Sequence, residues 1–480
     1  MPKYSPPTTS SSSAVTEAPS PGMSPSAYMS LVATIAAIAG GLYGYDTGII
    51  AGALLQISSE FQLGHAMQEV VAASILAGAV LGALTCTRLS ARIGRRYTIM
   101  TVAAIFTFGV LACATAPSMA WLTIWRFVLG FAVGGSTQIV PTYIAELAPP
   151  DKRGRLVTYF NVSIGVGILL AAIIGFALQE SWSWRWMIGV AAMPALALLL
   201  GMVWMPRSPR WLMEQGRPAQ AREALQMVRE TPAEVRAEMA EMRESQRQQQ
   251  HMARGWSGMR ERWVRPALVA GLGVAAFTQL SGIEMMIYYT PTFLTSAGFG
   301  RSSALLAALG VAIVYLVMTF IGKTVVDLVG RRALTLAMMP LAALSLVGLG
   351  AVFFFHLGGD HHGAWVVGLL LSFMVFNSVG IQVIGWLMGS ELYPLAIRDQ
   401  ATGAHAAMLW GSNLLLTGTA LSMVNWLGIG AAMWVYAALN ALGFVFVFVY
   451  VPETRSRSLE DIEQALRDGT FSPLASQRAG

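Results

Sequence analysis

Apolar residues in this chain come in long stretches, not in the alternation of a half-buried strand or the stripe of a surface helix. Twelve stretches of about 20 residues or more are long enough to cross a bilayer as helices. They cover 28–54, 67–87, 97–116, 119–142, 156–178, 185–205, 266–294, 303–326, 333–356, 364–390, 400–424 and 429–451. Glycine and proline inside them do not veto a helix, because neighbouring spans re-satisfy the freed backbone groups. The pattern predicts an all-α membrane protein of twelve transmembrane helices, with one long polar insert at 206–265. Within the insert, Glu214 to Gln250 is rich in Ala, Glu, Arg, Gln and Met. These are good helix formers, so short helices are expected there, with a flexible charged linker as the alternative.

The ends differ from the middle. Residues 1–27 are rich in Ser, Pro and Thr without periodicity and read as a disordered tail. The first apolar stretch exceeds a signal-peptide core, and no cleavage pattern follows it. It is expected to remain as a span. The divisions are therefore a tail at 1–27, a six-helix half at 28–205, the insert at 206–265, a second half at 266–451, and a tail at 452–480.

Composition agrees with this. Hydrophobic residues make up 55% of the 480 and charged residues 12%, whereas a soluble domain carries about 25% charged residues. A water-facing surface cannot be coated with so few charges, which excludes an ordinary soluble enzyme. The 48 glycines allow close helix approach. Cys86 and Cys113 lie within apolar stretches and build neither a disulfide framework nor a metal cluster.

The net charge of +6 changes meaning once the charges are located. Arg88, Arg92, Arg95 and Arg96 follow span 2; Lys152, Arg153 and Arg155 follow span 4; Arg331 and Arg332 follow span 8; Arg398 follows span 10; and the insert is dense in Arg. The alternate connections near 56–66, 115–120, 357–363 and 425–429 contain no Lys or Arg. Short positive loops stay cytoplasmic. Both termini and the insert are thus expected inside, and no nucleic-acid partner is implied.

The chain also repeats itself. Ile93-Gly94-Arg95-Arg96 recurs as Val329-Gly330-Arg331-Arg332, and Ala145-Glu146-Leu147-Ala148-Pro149 as Ser390-Glu391-Leu392-Tyr393-Pro394. Arg153 and Arg398 follow the two glutamates at equal spacing. Pro206-Arg207-Ser208 and Pro452-Glu453-Thr454 close the halves. Six spans plus six related spans, offset by about half the chain, form a transporter architecture with pseudo-symmetric halves.

At these residues the sequence resembles the major facilitator superfamily, and within it the sugar porter family, over 28–466. The resemblance is carried by Gly44-Tyr45-Asp46-Thr47-Gly48, Arg126 to Gly130, Pro141 to Glu146, Pro206 to Leu212, Gln279 to Ile283 with Tyr288 and Tyr289, and Pro452 to Glu460. It implies a secondary transporter for a monosaccharide or polyol, with a central site and alternating access. A proton-coupled importer is expected, in a bacterial inner membrane or a plasma membrane, working as a monomer in the lipid bilayer. An uncoupled facilitator and a non-transporting sugar sensor are the alternatives. No catalytic triad, zinc motif or phosphate loop is present, so no enzyme activity, cofactor or metal is expected. Asp360-His361-His362 reads as a hydrated loop.

A carboxylate within a span costs about 2.5–3.5 kcal/mol on insertion scales, so Asp46 needs a partner and a purpose. Counting at 1.5 Å per residue places Asp46 and Arg126 at the same depth, about 10–13 Å below the outer surface. They are the expected proton-coupling pair; a static ion pair between spans 1 and 4 is the alternative. Symporters resembling this family carry Asp at this position, and facilitators commonly Asn. One proton moving down about 100 mV releases about 2.3 kcal/mol, enough for nearly 50-fold accumulation.

By the same resemblance, Gln279 is expected to bind hydroxyls, Trp386 to pack on the sugar ring, and Tyr288 and Tyr289 to gate the outer side, with Tyr43 beside the proton site. Asn161, Thr278, Glu284, Tyr315, Trp410 and Asn413 complete the expected substrate set. Several depart from the family pattern: Thr278 and Asn161 stand where Gln is usual, and Tyr315 and Glu284 where Asn is usual. Glu284 adds a carboxylate that should repel sugar acids; pairing with a neighbouring helix is its alternative. Arg96, Glu146, Arg153, Asp327, Arg331, Arg332, Glu391, Arg398 and Glu453 match a charge network that links the halves in the outward-open state of the family. Setting topology by positive charge is the alternative for each basic member. His405 reads as a packing residue and a lesser candidate for proton traffic.

Overall fold

A computed structural model of the chain describes residues 24–249, 255–394, 396–455, 457 and 459–473. The tail expected over 1–27 falls outside them up to residue 23, as do several side chains, that of Arg153 included. Among the described residues, twelve helices are long and apolar enough to span a membrane. In chain order, spans 1–6 are Pro25–Glu60, His65–Ile93, Arg95–Ala114, Met119–Leu147, Leu156–Ala177 and Trp184–Gly201. Spans 7–12 are Arg262–Ser296, Arg301–Val329, Arg331–Phe354, Gly359–Gly389, Arg398–Leu427 and Ile429–Tyr450. No strand occurs among the described residues.

The two halves pack by one scheme. Span 1 lies on span 5, span 2 on span 4, and span 3 on spans 4 and 6. Six spans later, span 7 lies on span 11, span 8 on span 10, and span 9 on spans 10 and 12. The halves meet where span 2 crosses span 11 and span 5 crosses span 8, with span 1 against span 7 between them. Lipid tails supply no hydrophobic drive between helices, so close backbone contact must hold the pairs. Gly44 shows how close: a Cβ there would lie 1.9 Å from the Ile164 carbonyl oxygen of span 5. A Cβ on Gly130 of span 4 would lie 1.8 Å from the Ile75 oxygen of span 2.

The second half adds three interruptions. Span 7 breaks at Ser281 and Gly282, where Gly282 takes φ +95°, a conformation that favours glycine. Span 10 breaks at Gly380, and span 11 at Gly418 and Thr419. Broken spans leave backbone groups without helical partners, and such backbone is tolerated only where protein or a polar cavity surrounds it. Gln279 and Glu284 flank the break in span 7. Gln382 and Trp386 follow the break in span 10. Asn413 and Thr417 precede the break in span 11.

The polar insert folds as helices over Pro209–Glu214, Pro218–Val228 and Pro232–Gln249. They bury Trp211, Leu212, Leu225, Val235 and Met239 against one another. Two contacts dock them on the first half. The Trp211 indole donates to Ala91 O at 2.9 Å. Arg229, ion-paired with Glu238 at 2.7 Å, donates to Leu147 O at 2.7 Å. A cation thus caps the C-terminal end of span 4, where the helix dipole is negative.

Adding volume at either close contact forces backbone apart. Gly44→Val and Gly130→Val are each expected to destabilise the fold by about 1–3 kcal/mol. Thermal unfolding in detergent checks this, with Gly411→Val of span 11 as control, since a Cβ at Gly411 meets nothing within 4 Å.

Candidate functional site

Spans 1, 4, 7, 8, 10 and 11 carry most of the expected site residues. Asp46 of span 1 and Arg126 of span 4 are both buried. Arg126 is close enough to act on Asp46 electrostatically, but no ion pair within 4.0 Å joins them among the described contacts. Arg126 Nε donates instead to Val71 O of span 2 at 2.9 Å, and Nη2 has no hydrogen-bond partner. The two are therefore within electrostatic reach of each other, and no hydrogen bond or ion pair between them is among the described contacts. Arg126 reaches a lone pair that the intrahelical carbonyl of Val71 retains. Tyr45, one residue before Asp46, fixes span 1 by donating to Met187 O of span 6 at 2.6 Å.

Tyr43 lies one turn before Asp46 and joins the halves. Its ring meets Trp410 of span 11 edge-on at 5.3 Å and Trp386 of span 10 at 6.4 Å. The three rings form an apolar platform of the kind that packs on a sugar face or a cation. On spans 7, 10 and 11, Gln279 Oε1, Glu284 Oε2, Gln382 Oε1 and Trp410 Nε1 are buried polar atoms without partners. Glu284 is 3% exposed and lies within electrostatic reach of Tyr43, Tyr288 and Tyr315. Tyr288 is also in reach of Asp46 and Arg126. It is thus within electrostatic reach of both Asp46 and Glu284. Gln382 donates to the Tyr315 hydroxyl at 3.4 Å.

Other members of the expected set face elsewhere. Thr278 is fully buried and donates to Val274 O at 2.7 Å, with Ile381 O at 3.4 Å. Its side chain packs where Gly385 leaves room, so it joins spans 7 and 10 and is not among the unsatisfied groups. Asn413 accepts from Thr417 at 2.8 Å within span 11. Asn161 donates to Val157 O of its own helix at 3.4 Å. Tyr289 donates to Thr417 O at 3.0 Å, tying the second half of span 7 to span 11. His405 Nε2 meets Gly385 O at 2.7 Å, and Nδ1 meets the Tyr393 hydroxyl at 3.0 Å. A carbonyl only accepts, so Nε2 carries the proton and Nδ1 accepts. Both nitrogens are occupied, as a packing histidine requires.

The charged clusters at the arginine-rich end repeat across the halves. In the first, Arg95 pairs with Glu146 at 3.0 Å, and Ser208 donates to the same carboxylate. In the second, Arg331 pairs with Glu391 at 2.9 Å and with Asp327 at 2.8 Å, and Thr454 donates to Glu391. Arg95, which sequence reasoning did not include, is the arginine that pairs with Glu146 here. Arg96 donates to Met202 and Val203 carbonyls, as Arg332 does to Phe448 O. Every one of these pairs lies within one half. Arg398 is hydrogen-bonded to Tyr393 O at 3.3 Å. Glu453 accepts the backbone N–H groups of Arg331 and Arg332 at 2.9 and 3.0 Å, capping span 9. At the corresponding place in the first half stands Arg207, which turns to the Tyr97 hydroxyl at 3.1 Å.

At the opposite end the halves are joined. Glu69 of span 2, 3% exposed, accepts from the backbone N–H of Ser422 in span 11 at 2.7 Å, and from its hydroxyl. Gln179, just past span 5, donates to Ser302 of span 8 at 3.4 Å. Sequence reasoning did not find Glu69, Arg95 or Gln382. Glu69 carried a signal, being a carboxylate inside an apolar stretch. Arg95 carried one too, since the repeat aligns it with Arg331. Gln382 precedes Trp386 by one helical turn, but nothing in its neighbours marked it.

Comparison with known proteins agrees with this architecture. The family model described as sugar (and other) transporter matches residues 32–466. The D-xylose transporter of Levilactobacillus brevis is 36% identical over 448 residues, covering 92% of this chain and 96% of its own. The arabinose-proton symporter of Escherichia coli (strain K12) is 35% identical over 443 residues, covering 91% of this chain and 93% of its own. Among solved structures, the partially occluded inward-open conformation of the xylose transporter XylE from E. coli superimposes with a TM-score of 0.78 at 25% identity. That match covers 90% of this chain and all of the other.

The Glu69–Ser422 contact gives a prediction. With Glu69→Ala the two halves lose their buried hydrogen bonds at the arginine-poor end. A cysteine placed by Asn413→Cys is then expected to react with a polar maleimide several times faster than in the otherwise unaltered chain. Labelling rates measured on the full chain in nanodiscs check this; equal rates would mean that Glu69 does not hold the end closed.

Proposed function

The chain belongs to the sugar (and other) transporter family, and from that premise we propose that it imports a monosaccharide or polyol by proton symport. One observation carries the reading. Asp46 is buried, is not directly neutralised by Arg126, and shares span 1 with Tyr43 of the aromatic platform. Proton site and solute site are thus one turn apart on one helix, with Tyr288 of span 7 facing both. A proton bound at Asp46 and a solute bound at the platform act on the same contact between spans 1 and 7. The names of the relatives support the coupled reading, one of them being an arabinose-proton symporter.

The mechanism follows from where the halves are joined. By the distribution of Arg and Lys, the arginine-rich end faces the cytoplasm of the cell membrane, with both termini and the insert on that side. In the present state, Glu69 and Ser422 hold the outer end together, and the Arg–Glu clusters each stay within a half. This arrangement suits a site open toward, or occluded from, the cytoplasm. Rocking the halves about the crossings of spans 2 with 11 and 5 with 8 closes the inner end. Arg95, Glu146, Arg331, Glu391 and their neighbours then lie close enough to pair across the halves. Arg153 and Arg398 belong to that inner set by their place in the repeat. Each chain contains a whole site, so a monomer suffices.

At the solute site, Gln279, Gln382 and Trp410 offer hydrogen bonds, and Tyr43 and Trp386 offer ring faces. Asn161 and Asn413 flank this set on spans 5 and 11, and Tyr289 positions the outer part of span 7. The family resemblance does not choose among hexoses, pentoses and polyols.

Purified protein in proteoliposomes tests the reading. A panel of labelled hexoses, pentoses and polyols is expected to include at least one solute that accumulates when an inward proton gradient is imposed. Asp46→Asn is expected to lose that accumulation, by about 10-fold or more, while still exchanging labelled for unlabelled solute. Uptake that only equilibrates whatever the gradient would instead mark an uncoupled facilitator. Binding without uptake would mark a sensor.

A further inference from the structure

Gln279 Oε1, Gln382 Oε1 and Glu284 Oε2 are buried acceptors without hydrogen-bond partners, and Trp410 Nε1 is a buried donor without one. Glu284 has no cationic counterpart. Among the described residues, no Lys, Arg or His pairs with it or acts on it electrostatically. The titratable groups within its electrostatic reach are neutral phenols: Tyr43 of span 1, Tyr288 of span 7 and Tyr315 of span 8, whose hydroxyl accepts from Gln382 of span 10.

A carboxylate costs several kcal/mol to bury without a partner. Here it sits beside Tyr43, which contacts both Trp386 and Trp410. Aromatic faces next to a lone carboxylate form the chemistry that recognises an ammonium group: the rings attract the charge, and the carboxylate and amide oxygens take its three N–H donors. A hydroxyl offers one donor and needs a donor in return. An ammonium offers three donors and a positive charge, which suits a buried carboxylate that has no cation of its own.

Resting on the reading that this centre binds a sugar or polyol, we propose that its solute carries a protonated amine, an amino sugar or amino polyol, with Glu284 as the counter-ion. The ring or chain hydroxyls then meet Gln279 and Trp410, and the ammonium lies between Glu284 and the face of Tyr43. Glu284 is a specificity-determining residue and takes no part in proton coupling, which stays with Asp46.

The test uses the full chain in detergent or nanodiscs, at a pH where the amine is charged. Binding is measured by calorimetry for 2-amino-2-deoxyhexoses and 1-amino-1-deoxypolyols, for their N-acetyl forms, and for the corresponding neutral sugars and polyols. At least one amine is expected to bind about 10- to 100-fold tighter than both its neutral and its N-acetyl counterpart, the range of a charge-assisted hydrogen bond. In Glu284→Gln that ratio is expected to fall to about one, and in Glu284→Asp, which keeps the charge, to remain above one. The Asp variant distinguishes loss of charge from loss of fold. Neutral solutes binding as well as or better than amines in the wild type would overturn the proposal while leaving sugar transport standing. So would an amine preference that Glu284→Gln does not change. If no sugar, polyol or amine binds at all, the transport reading fails, and this proposal fails with it.

Discussion

Inside a bilayer a polar atom has no water to fall back on, so each one must find a protein partner or stay costly. Most of this structure obeys that constraint. Serine and threonine hydroxyls return to carbonyls of their own helix, as Thr98, Thr107 and Thr290 do. Arginines at the helix ends meet glutamates or free carbonyls. Among the exceptions are Gln279 and Glu284 of span 7, Gln382 of span 10 and Trp410 of span 11, and Arg126 of span 4, whose Nη2 is unpartnered within electrostatic reach of Asp46.

Two physical features make that centre possible. Glycine at Gly44 and Gly130 brings spans 1 and 5, and spans 2 and 4, to backbone contact, so each pair behaves as one unit when the halves move. The breaks in spans 7, 10 and 11 do the opposite, loosening the second half where it faces the first. Gln279 and Glu284 flank the break at Gly282, and Gln382 follows that at Gly380, while Trp386 and Trp410 of spans 10 and 11 meet Tyr43.

The long apolar stretches, the repeat and the skewed arginines made the twelve-span, two-half architecture legible in the sequence. The spans in the structure run past the apolar stretches at several ends because helices continue through the interface, as span 1 does to Glu60 and span 2 to Ile93. The site was legible by residue type and less so by contact. Tyr43, Trp386, Trp410, Gln279 and Glu284 come together, yet Thr278 and Asn413 turn their polar groups into helix packing, which only the break geometry reveals. Gln382 could not be found because its role depends on the kink at Gly380, which turns the next turn of span 10 toward Tyr315. Arg95, which the repeat aligns with Arg331, is the residue that meets Glu146. On a helix one residue is a rotation of about 100°, enough to send Arg96 to Met202 and Val203 instead.

The central claim is that solute and proton move together through this centre. The most direct measurement is the pH of a lightly buffered suspension of proteoliposomes when a transported solute is added outside without any imposed gradient. Coupled entry predicts alkalinisation of the external medium, simultaneous with solute uptake and abolished by a protonophore. Solute uptake with no change in external pH would contradict it.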